Sequence, residues 1–178
     1  MDAATYAVVL ALLAGTLRAA ELWRASIGVA VVNVVVLNAL AEGRGKNLRE
    51  VLRGSGSAPY LDAAAAIGQA AFELGASESP EDTIRERLEQ EARVAVIAAS
   101  GRLRKHAWLD AVALAAIVFA GLNAVMNASA SEVESIGLVA ATLLWFANMR
   151  GARSIMTRVY SGATALVDSL REGLLNTG

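Results

Sequence analysis

The chain has 178 residues, 56 % of them apolar and only 5 % aromatic, with no cysteine and a formal net charge of −1. Lack of cysteine excludes a disulfide framework, a thiolate metal site and a thiol nucleophile; the near-neutral charge, with no aromatic-studded basic stripe, argues against a nucleic-acid partner. The excess of alanine, valine and leucine, with two prolines in the whole chain, points to an all-α protein of closely packed helices.

The first element is the apolar stretch of "MDAATYAVVLALLAGTL", which meets "RAAELWR" at Arg18. It lacks the basic n-region of a secretory signal and reads as a retained helix within residues 1–25. Its apolar length is short for a bilayer, but snorkelling arginines extend it. A second apolar stretch, Ser26 to Ala41, carries Asn33 and Asn38; it either crosses as well or lies as a cytoplasmic or interfacial helix. From Gly43 to His106 the chain turns salty, with ten Lys or Arg and nine Asp or Glu. There "KNLREVL" reads as a short helix between Gly/Ser turns, and "LDAAAAIGQAAFELG" as an alanine-rich helix. "SESPEDTIRERLEQEAR" follows with a helix start: Ser79 as cap, Pro80 at the first helical position, Glu81 and Asp82 at the positive end of the macrodipole. No proline follows Pro80. The pattern therefore predicts one helix of 48 residues to Asn127, about 72 Å long, with Gly101 as the place for a bend.

The charge pattern fixes the expected topology. From Ala107 to Met149 there is no Lys or Arg, and only Asp110, Glu132 and Glu134 are charged. Ala107 to Asn127 has the length of a bilayer core, about 30 Å. "NASASEVES" is a polar turn, "IGLVAATLLWFANM" a return helix, and "RGARSIMTR" meets it with three arginines. Cations at both outer ends of this hairpin, 107–150, and none in its turn put the basic ends in the cytoplasm. With residues 26–106 also mainly cytoplasmic, about three spans result; four remain the alternative. Residues 151–178 form a cytoplasmic amphipathic helix, with Ile155, Val159, Leu166, Leu170 and Leu174 on one face. The expected fold is thus an all-α integral membrane protein with long cytoplasmic helices.

Three segments carry a family likeness: "NLREVLRGSGSAPYLDAAAAI" after the first span, "ESPEDTIRERLEQEARVAVIAASGRLRKHAWLDAVA" approaching the second, and "IGLVAATLLWFANMRGARSIMTRV" in and after the third. In this order the chain resembles the MotA/TolQ/ExbB family of bacterial ion-channel motor subunits. The resemblance implies a bacterial inner-membrane protein without cofactor. It also implies a homo-oligomeric ring, typically a pentamer, around a small single-span partner of the ExbD/TolR/MotB kind. The partner usually carries the essential aspartate, and the ring lines the pore with polar groups. Carried over, this makes Thr142 and Asn123 pore-facing and the subunit part of a proton-driven motor. Where the family has a Gly-Leu-Leu-Gly-Thr-Val-like motif, this chain reads "VFAGLNAVM", and the family's third-span proline is missing. A non-conducting membrane scaffold of the same fold is therefore one alternative, and a soluble helical interaction protein another.

Each candidate residue has two readings. Thr142 either lines a pathway or bonds its own helix carbonyl; Asn123 lines it or bridges two helices. Asp110 handles protons, or pairs at the interface with Arg104 or a neighbouring subunit's cation. His106 is a proton relay or a snorkelling interface residue, and Trp23, Trp108 and Trp145 are headgroup anchors or core. No Ser-His-Asp set and no metal-spaced histidine cluster occurs, and "GRGKN" lacks the Walker spacing, so no enzyme activity and no metal site is expected.

Overall fold

The computed structural model describes residues 3–26, 28–53, 59–75, 80–127 and 132–175, and no strand occurs among them. The helices are α1 (Ala3–Ala25), α2 (Val29–Ala41), α3 (Leu48–Arg53, preceded by a 3-10 turn at Gly45–Asn47), α4 (Pro59–Gly75), α5 (Glu81–Arg104), α6 (Trp108–Asn127) and α7 (Glu132–Leu175). They divide into two compact units, one of Met1–Trp23 with Leu103–Ser154, the other of Arg24–Arg102 with Ile155–Gly178.

Two expectations about the helices change. The 48-residue helix is two, α5 and α6, separated by a turn over 105–107 and not bent at Gly101. Conversely, the return helix and the amphipathic tail are one helix, α7, because nothing between Met149 and Ile155 breaks it. Its predicted face is buried at Ile155, Val159, Leu166 and Leu170; the side chain of Leu174, like the cap assigned to Ser79, lies outside the described residues.

In the first unit, α1, α6 and α7 meet through small residues. Ala4, Ala7, Ala11 and Ala14 of α1 are buried at three- and four-residue intervals, as are Leu109, Ala113, Ala116 and Ala120 of α6. Ala141 and Asn148 of α7 complete the interior. Helices α1 and α7 are in constant register: Thr5 meets Glu134, and Val8, Gly15 and Leu22 meet Gly137, Leu144 and Gly151, always 129 positions apart. A contact repeating every seven residues is the left-handed, coiled-coil way of packing. A Cβ at Gly137 would stand 2.6 Å from Val8, so the approach depends on glycine.

Most large apolar side chains of this unit point outward, Val8, Leu22, Leu103 and Leu109 being buried. Leu10, Leu13 and Leu17 of α1, Val118, Phe119, Leu122 and Val125 of α6, and Val133, Ile136, Val139, Leu143 and Phe146 of α7 are all exposed, Val125 at 82 % and Val133 at 79 %, while Ala11 is 1 % exposed. Two stretches, Ala3–Ala41 and Asp82–Met126, are long and apolar enough to cross a membrane, yet only 18 % and 22 % of their most apolar windows are buried. The core helix of a water-soluble bundle has the opposite sorting, with large residues in.

In the second unit α4 is central, with Ala64, Ala65 and Ile67 fully enclosed and Asp62, Gln69 and Glu73 on its polar outer stripe. Helix α2 packs on α3 and α4 through Val32, Val36 and Ala39. It ends in a Schellman cap: Arg44 N–H donates to Ala39 O (2.8 Å), Gly43 N–H to Leu40 O (2.9 Å), and Gly43 has φ +73. Asn33, ambiguous in the sequence, donates to Gly162 O of α7 (2.9 Å) and accepts from the Tyr60 hydroxyl (2.6 Å). Burial pushes the Tyr60 phenol well above its ordinary range, so it stays a neutral donor. Two glycines of this unit predict opposite signs. Gly162→Ala drives a Cβ into the Val29 side chain and to 3.1 Å from the Tyr60 hydroxyl. Overpacking of about 1–3 kcal/mol outweighs the helix gain of about 1 kcal/mol, so its melting temperature falls. Gly101→Ala meets nothing within 4 Å, so its melting temperature rises.

Candidate functional site

The polar residues of the first unit gather at its basic end. Arg18 takes the seam position that follows Ala14 in α1, and it is only 4 % exposed. Its Nε donates to Asp110 Oδ2 at 3.1 Å, and an Nη donates to Leu103 O at 3.0 Å. That second bond belongs with the break before α6. Ala107 N–H bonds Arg104 O in the turn (2.9 Å), so the Leu103 carbonyl loses its usual helical partner, and a cation at a helix C-terminus is favourably placed to take it. One guanidinium thus holds α1 to the end of α5 and the start of α6.

Glu21, one turn further along α1, extends the cluster. Its Oε2 lies 3.6 Å from the guanidinium of Arg18 and its Oε1 3.0 Å from Nδ1 of His106. Helix α7 closes the other side: Trp145 Nε1–H donates to Asp110 O (3.1 Å), and buried Asn148 donates to Gly15 O (2.9 Å). Two carboxylate oxygens, Glu21 Oε2 and Asp110 Oδ1, are buried without a hydrogen-bond donor. The cluster therefore has acceptors that its donors do not reach.

Against the expectations, Asp110 pairs with Arg18 of the same chain and not with Arg104, which is exposed. His106 joins Glu21 and does not merely reach for the surface. Thr142 donates to Leu138 O of its own helix at 2.8 Å, the intrahelical bond named as its alternative, and is half-buried; Asn123 is also half-buried. Neither belongs to the Arg18 cluster. Trp23 and Trp108 stand exposed near the same basic end, whereas Trp145 is partly buried. Nothing local in the sequence marks Arg18 and Glu21 as partners, although the alanine spacing 4, 7, 11, 14 leads to 18.

In the second unit, a cavity of about 390 Å³ lies between α5 and α7, walled by Ala92, Val96, Ile97, Ala163, Thr164 and Val167 with Glu89, Arg93 and Asp168. Its mixed lining selects for no one ligand class. Among the described residues, no group of three or more His, Asp or Glu is placed to hold a metal ion.

No family model, curated protein or solved structure matches this chain.

Proposed function

We propose that the chain is an integral membrane subunit of three spans, α1, α6 and the first part of α7. In this reading it assembles into a ring in the bacterial inner membrane, pentameric as in the family it resembles, around a small single-span partner. Its work is to couple proton flow to movement of that partner. The observation that carries the membrane part is the sorting of side chains in the first unit: mostly alanine and glycine between the helices, most of the leucine, valine and phenylalanine outside. Helices in lipid gain nothing by hiding large apolar groups from one another, and they approach through small ones. Direction follows from charge. The end bearing Thr5 and Glu134 has acids, and the end bearing Arg104, Lys105, Arg150 and Arg153 has cations, so the second end is cytoplasmic.

One observation favours the second reading, a membrane scaffold that conducts nothing: the Thr142 hydroxyl already has the Leu138 carbonyl as acceptor. Purification in detergent followed by particle imaging tests the assembly. Rings sustain the proposal, and monomers in every mild detergent overturn it. In vesicles containing the chain and its partner, the motor reading expects Thr142→Ala to lower proton flux several-fold; unchanged flux leaves the scaffold.

A further inference from the structure

We propose that Arg18, Glu21, His106 and Asp110 together form a proton-binding site, loaded through His106 from the aqueous side. Arginine is always a cation, so with a neutral imidazole the cluster carries one positive and two negative charges. Arg18 is 5 % exposed at its side chain and Asp110 14 %, and an unbalanced charge there is costly. One added proton makes the set neutral, two cations against two carboxylates.

Geometry says where that proton goes. His106 is the most open member, with its side chain 40 % exposed, and its Nδ1 already faces Glu21 Oε1 at 3.0 Å. Histidine is also the side chain whose ordinary titration falls between pH 5 and 8. Uptake forms an N–H bond at the free ring nitrogen and leaves Nδ1–H donating to Glu21; no bond to carbon changes. The charge is then felt inward. Glu21, held by His106⁺, releases part of its pull on Arg18, and Arg18 turns more fully to Asp110, 3.1 Å away on another helix. Two oxygens of the set, Glu21 Oε2 and Asp110 Oδ1, have no hydrogen-bond donor.

The charged group in contact with the imidazole is Glu21 of α1. Arg18 and Asp110 follow one and two contacts further in, and α7 adds the uncharged Trp145 against Asp110. Arg104, Lys105, Arg150 and Arg153 lie at exposed positions, where solvent and salt screen them. The inference needs no ion flow through the subunit, and it holds equally for a scaffold.

The chain has one histidine, so the tag-free protein in detergent micelles gives one pair of imidazole C–H signals in proton NMR. Asp110 does not touch His106, yet Asp110→Asn is expected to move the His106 titration midpoint to lower pH. Asp110→Glu, which keeps the charge, is expected to leave it in place. A midpoint unmoved in Asp110→Asn, or moved equally by Asn and Glu, overturns the proposal. The wild-type chain supplies a reading that requires no variant to fold. With aspartate labelled at its carboxyl carbon, the Asp110 signal is expected to shift with the same midpoint as the imidazole; a signal that ignores the imidazole titration overturns the coupling.

Discussion

Arg18→Ala is expected to cost the first unit about 3–5 kcal/mol, the usual result of removing one partner from a buried ion pair. The substitution strands Asp110, whose Oδ1 already has no donor, and frees the Leu103 carbonyl at the end of α5. It also leaves a hole in the seam below Ala14. Removing both charges should do much less harm. In Arg18→Leu/Asp110→Leu the orphaned carboxylate is gone and two apolar groups fill the space, so most of the loss is expected to return. Equilibrium unfolding of each variant in mixed micelles gives the comparison. If the double variant is as unstable as the single, the pair is not the reason for the loss. A single variant costing under about 1 kcal/mol, the range of exposed ion pairs, would mean that water reaches the cluster.

Local pattern made most of the helices readable. Alanine-rich α4, the amphipathic second half of α7 and the short helix α3 between Gly/Ser turns each followed from spacing and turn chemistry. What escaped was set by partners far along the chain. Lys105, His106 and Ala107 hold neither proline nor glycine, so no local signal marks the break between α5 and α6. The interruption goes with an arginine 85 positions away taking the Leu103 carbonyl. Asn33 left the placement of α2 open for the same reason: its partners are Tyr60, 27 positions away, and Gly162, 129 positions away. The Arg18 cluster was half legible. Asp110 stood out as the acid inside an apolar run, but Arg18 looked like a snorkelling residue until the three- and four-residue alanine rhythm carried it inward. A rhythm of small residues is easily missed, because periodicity is usually sought in large apolar ones.

Lysine placed on the outward apolar belt is expected to separate lipid from water by the size of its effect. Val118 of α6 and Leu143 of α7 are exposed at 51 % and 65 %. On an exposed surface in water, Val118→Lys or Leu143→Lys changes stability by no more than about 0.5 kcal/mol and improves solubility. Within a bilayer the same change puts an ammonium near the middle of a span, at a cost of about 2.5–3.5 kcal/mol for insertion. The second unit contains its own control. Val94 of α5 is exposed at 58 % and lies in the salty region, so Val94→Lys should be harmless under either reading. Fractionation of cells expressing each variant then compares like with like. Loss of Val118→Lys and Leu143→Lys from the membrane fraction, with Val94→Lys retained, is the expected pattern. Should all three partition as the unaltered chain does, the outward leucines and valines do not face lipid. A substitution that water welcomes and hydrocarbon rejects reads the solvent around each helix directly, without requiring the subunit to conduct, turn or bind anything.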